Sequence, residues 1–470
     1  MKIITRSTTT LLCLIIIAAT IGCTAIHDDA NRGANANTTA NANTSNANKA
    51  AAPATNNAKA GNLTMTLPLL DALFAQDTFA NDLKTKLQLT DDQVNRLRTI
   101  AREETAKLRE TGDSGSHQGT TTAARKQAED QINAAIGAEK ARQLSTFVSE
   151  SYSGESIASA STTPGAIPSD TRIVVNAPAF RMDVFDNGQL VKSYKVAIGY
   201  PEFPLPTGMR KAETIIFNPT WTPPDEPWVE APGSKVKVGE TVKAGDKLNP
   251  LGPLKIPIGL PSLIHGGKAP AKLGNFGSHG CVGLTNSQAQ EFAKLLAQLG
   301  GAGVNDAQIA EYEKNKTETK NVKLQKAVPV ELRYETIMVE DGKLHIYRDV
   351  YDHDTNSEET LRSVLQANGV TLEQLSDQER SQVMNALKEM SRDASGKLDE
   401  SKPDNTNRNS KAKSENSSGK VTRTIKGSKE VVIEIAALKG KGYPAPVGMN
   451  TGGAKETASK APAKAAKKKQ

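Results

Sequence analysis

The chain reads as a multidomain protein. A mainly-β, mixed-sheet or sandwich domain lies in its middle, an α-helical hairpin domain precedes it, a small β/α extension follows it, and disordered tails flank the whole. Three observations predict this. Apolar residues recur at helical spacing over residues 66–152. From Thr171 the pattern switches to strands broken by Pro and Gly turns. Elsewhere the composition narrows to Ala, Asn, Thr, Ser and Lys. At 470 residues the chain exceeds one compact unit.

The N-terminus carries Lys2 and Arg6, an apolar core from Leu11 to Ala19, and Thr20-Ile21-Gly22-Cys23. The apolar run is too short to span a bilayer and polar sequence follows at once, which predicts an export signal over residues 1–23. A small residue before Cys resembles a bacterial lipobox, although position 20 is Thr where Leu or Val is usual. This implies lipidation at Cys23 and a membrane-anchored protein in the cell envelope, facing the periplasm or wall. Residues 24–65 repeat Ala-Asn-Ala-Asn and read as a disordered tether.

Over 66–152, Thr90 and Gln93 form a capping box, followed by Val94, Leu97, Ala101 and Leu108 at helical spacing. A second helix is predicted from about Thr122 to Ser149. The string Leu89-Thr90-Asp91-Asp92-Gln93 resembles the LTxxQ motif of Spy-type periplasmic proteins; a helical spacer or packing domain is the plainer reading. Residues 153–170 are a linker. Strands then follow at 172–176, 180–185 and 190–198, with Asp186-Asn187-Gly188 as a two-residue hairpin turn. After Leu284 a helix capped by Thr285 or Asn286 buries Ala289, Phe292, Ala293 and Leu296.

The chain has three cysteines, and two of them, Cys13 and Cys23, fall in the export segment. Cys281, in Ser278-His279-Gly280-Cys281, is thus expected to be the one free thiol of the mature protein. A lone thiol with histidines nearby is the arrangement nucleophilic sulfur chemistry needs. Thiolate, not thiol, attacks an amide, so a base is required. His265, at a strand end, is the expected general acid/base. His279 is expected to orient the loop or contact substrate, and Ser278 to hold a loop carbonyl or a histidine by hydrogen bond. The amides of Gly280 and Cys281 are expected to face an oxyanion.

These residues carry a resemblance. From about Thr171 to Val304 the chain resembles the L,D-transpeptidase catalytic domain, or YkuD domain. The resemblance rests on the Asp186-Asn187-Gly188 turn, Pro206-Thr207-Gly208, Asn249-Pro250-Leu251-Gly252, Ile264-His265-Gly266-Gly267, Gly274, and Ser278 through Leu284. His265 and Cys281 stand 281 − 265 = 16 positions apart, which suits the family spacing. It implies a mixed, mostly β fold and a cysteine acyltransferase acting on peptidoglycan stem peptides. Cys281 would form a thioester and pass the acyl group to a second stem, giving a 3–3 cross-link, with no metal or organic cofactor. Gly266 and Trp221 would line the substrate cleft. Where the family commonly has an Arg, this chain has Gly283. Lys268, Lys272 and Arg210 are basic candidates to replace it, and the sequence does not choose among them. An L,D-carboxypeptidase, a protein-to-peptidoglycan ligase and a non-catalytic wall-binding lipoprotein remain alternatives.

Beyond residue 304, Val328–Tyr334 and Lys343–Val350 read as two strands of a β extension over 321–352, joined around Asp341-Gly342. His345 and His353 there are expected at the surface. Residues 357–393 read as two helices, the second capped by Ser376 with Glu379, and Val431–Ala437 as one more strand. Residues 400–470 read as a largely disordered basic tail. Lys and Arg number 59 against 52 acidic residues, a net +7, and Lys460–Lys469 concentrates it. No aromatic–basic stripe or zinc spacing argues for nucleic acid.

Overall fold

The computed structural model describes residues 65–74, 78–110, 121–152, 163–223, 229, 233–259, 262–392, 396 and 425–449. The readings of the export signal, Cys23, nearly all of the tether, most of the first linker and most of the basic tail fall outside these residues. No helix among the described residues is long and apolar enough to cross a membrane.

Among the described residues five helices precede the sheet: α1 (Leu67–Phe74), α2 (Phe79–Lys86), α3 (Asp91–Glu110), α4 (Thr121–Ile136) and α5 (Ala138–Tyr152). Thr90 and Gln93 cap α3 reciprocally, at 3.0 and 3.2 Å, as the motif predicts. The expected hairpin is therefore a larger module. Leu70, Leu73, Phe79 and Leu83 of α1 and α2 close its core over Leu97, Ala128 and Leu144. The long second helix is interrupted at Gly137, whose φ of +83° no helix accommodates.

Eight strands form the main sheet in the order β3-β2-β1-β10-β5-β6-β7-β9. They are β1 (Arg172–Asn176), β2 (Arg181–Asp186), β3 (Gln189–Lys195), β5 (Gly208–Phe217), β6 (Leu254–Pro257), β7 (Leu263–His265), β9 (Val282–Gly283) and β10 (Lys320–Arg333). The β2–β3 turn has positive φ at both Asn187 and Gly188, the hairpin geometry its sequence predicts. A two-stranded parallel pair, β4 (Ile198–Gly199) and β8 (Phe276–Ser278), leads into the Ser278–Cys281 loop. One departure from the sequence reading concerns Val328–Tyr334. All of it but Tyr334 belongs to β10, which pairs parallel with β1 and antiparallel with β5 near the sheet centre. It is thus not part of an appended extension.

Alternation in β1 gives the sheet two buried faces. Ile173 and Val175 join the core that α6 (Asn286–Leu299) covers with Ala289, Phe292, Ala293 and Leu296. Thr285, with Gln288, is the cap of α6. Val174 points the other way and packs with Tyr347 and Tyr443. Those tyrosines belong to a C-terminal module built on the sheet β11 (Ile337–Glu340), β12 (Lys343–Tyr347) and β13 (Glu430–Glu434). Helices α8 (Glu358–Ala367) and α9 (Asp377–Met390) cover it, the second capped by Ser376 and Glu379 as expected. Between α6 and β10 runs α7 (Asp306–Lys314). His345 pairs with Glu430 at 2.6 Å. His353 is not a plain surface residue, because its ring lies 4.4 Å from that of Tyr334.

Candidate active site

Three short strands bring the distant motif residues together. β7 carries the apolar Ile264 into the core and ends at His265, where Gly266-Gly267 turns the chain. β9 pairs with it in parallel, His265 opposite Gly283 and Ile264 opposite Val282. Cys281 immediately precedes β9, two residues before the partner of His265. Continued by one residue, this register sets Cys281 across from Leu263, whose backbone the thiol meets, and two residues before His265 on the neighbouring strand. Cys281 is half-buried and is the free cysteine among the described residues.

The imidazole is held in one tautomer. His265 is 4% exposed, and its Nδ1 lies 2.7 Å from the Gly266 carbonyl oxygen. A carbonyl only accepts, so Nδ1 carries the proton and Nε2 keeps the lone pair. Burial first, then the nearby Lys268 charge, push the imidazole down to about 3, against the pull of Gly266. Burial raises the Cys281 thiol above its usual value, with the Leu263 backbone and Lys268 pulling it back. At neutral pH both the resting thiol and the resting imidazole are therefore uncharged.

Two serines fix the thiol loop. Ser278 Oγ accepts from the Cys281 amide at 3.0 Å and donates to the Cys281 carbonyl at 2.6 Å. Ser262 Oγ donates to the Gly280 carbonyl at 2.7 Å. The Gly280–Cys281 peptide is thus pinned at both its oxygen and its nitrogen. This corrects the expectation for the Cys281 amide, which is engaged by Ser278 in this geometry and does not stand ready for an oxyanion. Gly280 has φ of +87°, a conformation that glycine adopts without strain.

Other expected site residues fall out unevenly. Gly266 is buried, its amide donating to the Leu254 carbonyl and its own carbonyl accepting from His265 Nδ1, so its backbone groups hold the fold and the imidazole. His279 is exposed and sits edge-on to Tyr200 and Phe203, with centroids at 5.4 and 4.7 Å. Trp221 is half-buried and bridges Val242 through its backbone; Trp228 lies outside the described residues. Arg210 is 1% exposed and Lys272 is exposed on a single 3-10 turn. Lys268 is the candidate cation whose charge reaches both Cys281 and His265.

Sequence reading missed the supports of the 199–205 turn, which backs the thiol loop. The Tyr351 hydroxyl donates to the Gly199 carbonyl at 2.9 Å and accepts from the Leu205 amide at 3.1 Å. Thr66 and Thr121 of the helical module donate to the Glu202 and Pro201 carbonyls at 2.7 and 2.8 Å. Ser262 was missed as well. Nothing local in the sequence marks these residues, because each acts on a partner far away along the chain.

A mixed sheet whose histidine-ended strand lies beside a thiol loop is the build of a YkuD-type domain. Residues 170–320 match the family model YkuD, the L,D-transpeptidase catalytic domain, and this part of the chain is such a domain. No curated protein matches the chain. Among solved structures, an L,D-transpeptidase mutant from Enterococcus faecium shows 15% identity, with 35% of this chain and 50% of that chain covered and a TM-score of 0.21. The catalytic domain from the E. faecium L,D-transpeptidase shows 18% identity over 36% of this chain and all of that chain, with a TM-score of 0.22. An L,D-transpeptidase from Mycobacterium smegmatis shows 16% identity over 35% and 58%, with a TM-score of 0.20. The chain spans about half the length of the first of these.

Proposed function

We propose that the protein is a peptidoglycan L,D-transpeptidase that forms 3–3 cross-links through a thioester on Cys281. One observation carries the reading: the register that sets His265 opposite Gly283, with Nδ1 occupied and only Nε2 left to accept a proton. As the sulfur attacks the carbonyl of the third, diamino-acid residue of a tetrapeptide stem, its proton passes to His265 Nε2. The C–N bond to the terminal D-alanine then breaks, and the imidazolium returns that proton to the leaving amine. The side-chain amine of a second stem attacks the thioester, gives up a proton through His265, and releases the thiol. Neutral resting partners suit this sequence, because charge develops only as the bond forms. Every group used belongs to the chain or to the stem peptides.

Export by the N-terminal segment and lipidation at Cys23 would hold the enzyme on the wall side of a membrane, with residues 24–65 as its reach. The test is to incubate purified protein with tetrapeptide-bearing muropeptides and analyse the products by mass spectrometry, with Cys281→Ala as the control. A Cys281-dependent dimer that has lost one D-alanine is expected. Loss of D-alanine without dimer would replace the reading with a carboxypeptidase. No Cys281-dependent change would end both.

A further inference from the structure

Gly283 stands where the resemblance leads one to expect an arginine, and the structure shows what fills its place. The Lys268 amide donates to the Leu284 carbonyl at 3.0 Å, and the side chain then runs back across Gly283. A Cβ built on Gly283 would lie 2.7 Å from both Cγ and Cε of Lys268 and 3.1 Å from its Cδ. Side chains essentially never approach that closely, so this path exists only because position 283 is glycine. The ammonium ends 2.7 Å from the Gly277 carbonyl, on the strand that leads into the thiol loop. That contact uses one of its three donors. Lys268 is half-buried, and among the described residues no carboxylate pairs with it. A cation held partly out of water without a counter-ion is costly, unless an anion is to form beside it.

We propose that Lys268, seated in the channel left by Gly283, is the electrostatic positioning residue of Cys281, holding the negative charge of the sulfur as the thiol proton leaves. The proton goes to His265 Nε2; Lys268 keeps its own throughout. The assignment rests on Cys281 being the nucleophile. The mutual effect of the two groups agrees with it. Burial lowers Lys268 while the Cys281 charge draws it back up, and Lys268 in turn draws the buried thiol down. The other titratable groups whose charge reaches this pair are His265 on β7 and Lys272, whose charge opposes that of Lys268.

The test needs no substrate. Alkylation of Cys281 by iodoacetamide is followed by peptide mass spectrometry against pH, in the full chain. Lys268→Gln keeps a donor for the Gly277 carbonyl but removes the charge; Lys268→Arg keeps the charge. With Gln, alkylation near pH 7 should slow about tenfold and the profile move to higher pH, one pH unit being tenfold in thiolate. Arg should restore the rate to within about threefold. Gly283→Val, which evicts the Lys268 stem and leaves residue 268 unchanged, should shift the profile in the same direction. A Gln or Val profile superimposable on the parent overturns the assignment, while Cys281-dependent muropeptide dimers would still stand. A shifted profile with no such dimers would sustain the Lys268 pairing and overturn the transpeptidase reading.

Discussion

Two regions of this molecule bury charge, and they treat it in opposite ways. On the sheet face beneath the C-terminal module, Arg172 meets Glu331 at 2.8 Å and Arg333 meets Glu331 at 2.9 Å. Arg181 there meets Asp183 at 2.8 Å and Glu340 at 2.5 Å. Every buried guanidinium in this seam faces carboxylates, and Ser193 takes up a further Asp183 oxygen at 2.6 Å. At the candidate site, His265, Lys268 and Cys281 stand without a carboxylate among their described partners. The seam neutralises its charges internally and acts as glue between modules. The candidate site holds its Lys268 cation without an acid, which the proposed thiolate would supply.

Substitutions should separate the two. His265→Gln should cut cross-linking by about 10²–10⁴-fold, the usual worth of a positioned acid/base, with little change in thermal midpoint. Arg181→Met should do the reverse. It strands Asp183 and Glu340 without their cation, and breaking such a buried pair costs about 3–5 kcal/mol. Denaturant unfolding should report that loss, while folded molecules keep their activity. A variant that lost both properties together would erase the distinction.

Acid should also tell the regions apart. The unfolded imidazole takes up a proton below about 6.5, whereas buried His265 resists until about 3. The unfolded state therefore binds more protons in that window, and stability falls as pH drops through it. Burial works to raise Glu331, yet hydrogen bonds from Arg333 and Arg172 hold it below its ordinary value of 4.5. The Glu331 part of the seam thus loses its contribution only at pH below that value, whereas burial raises the Asp183 and Glu340 carboxyls above theirs. Unfolding free energy measured from pH 7 to 5 should decline in the parent and decline less in His265→Gln. Equal slopes would contradict the candidate site's electrostatics. The smallest effect expected is that of Tyr351→Phe, which removes both bonds to the 199–205 turn and should cost about 1–3 kcal/mol.

The same contrast explains what the sequence could reveal. The thiol loop was legible because unusual residues fall in close succession, Ser278 through Gly283, and because Thr285 caps the next helix locally. The β2–β3 turn was legible for the same local reason. The seam was not, because Arg172 and Glu331 look like solvated strand residues until β10 is known to lie beside β1. That parallel pairing is set by contacts remote in sequence, which no local pattern encodes. Gly283 read as a missing cation, and only the packing shows Lys268 lying across it.

The most direct measurement is the mass of the protein itself. After brief incubation with a tetrapeptide donor and an acid quench, the chain should gain one tripeptide acyl group, mapped by peptide digestion to Cys281. Dimer formation with no adduct on Cys281, or an adduct on another residue, would contradict the thioester account.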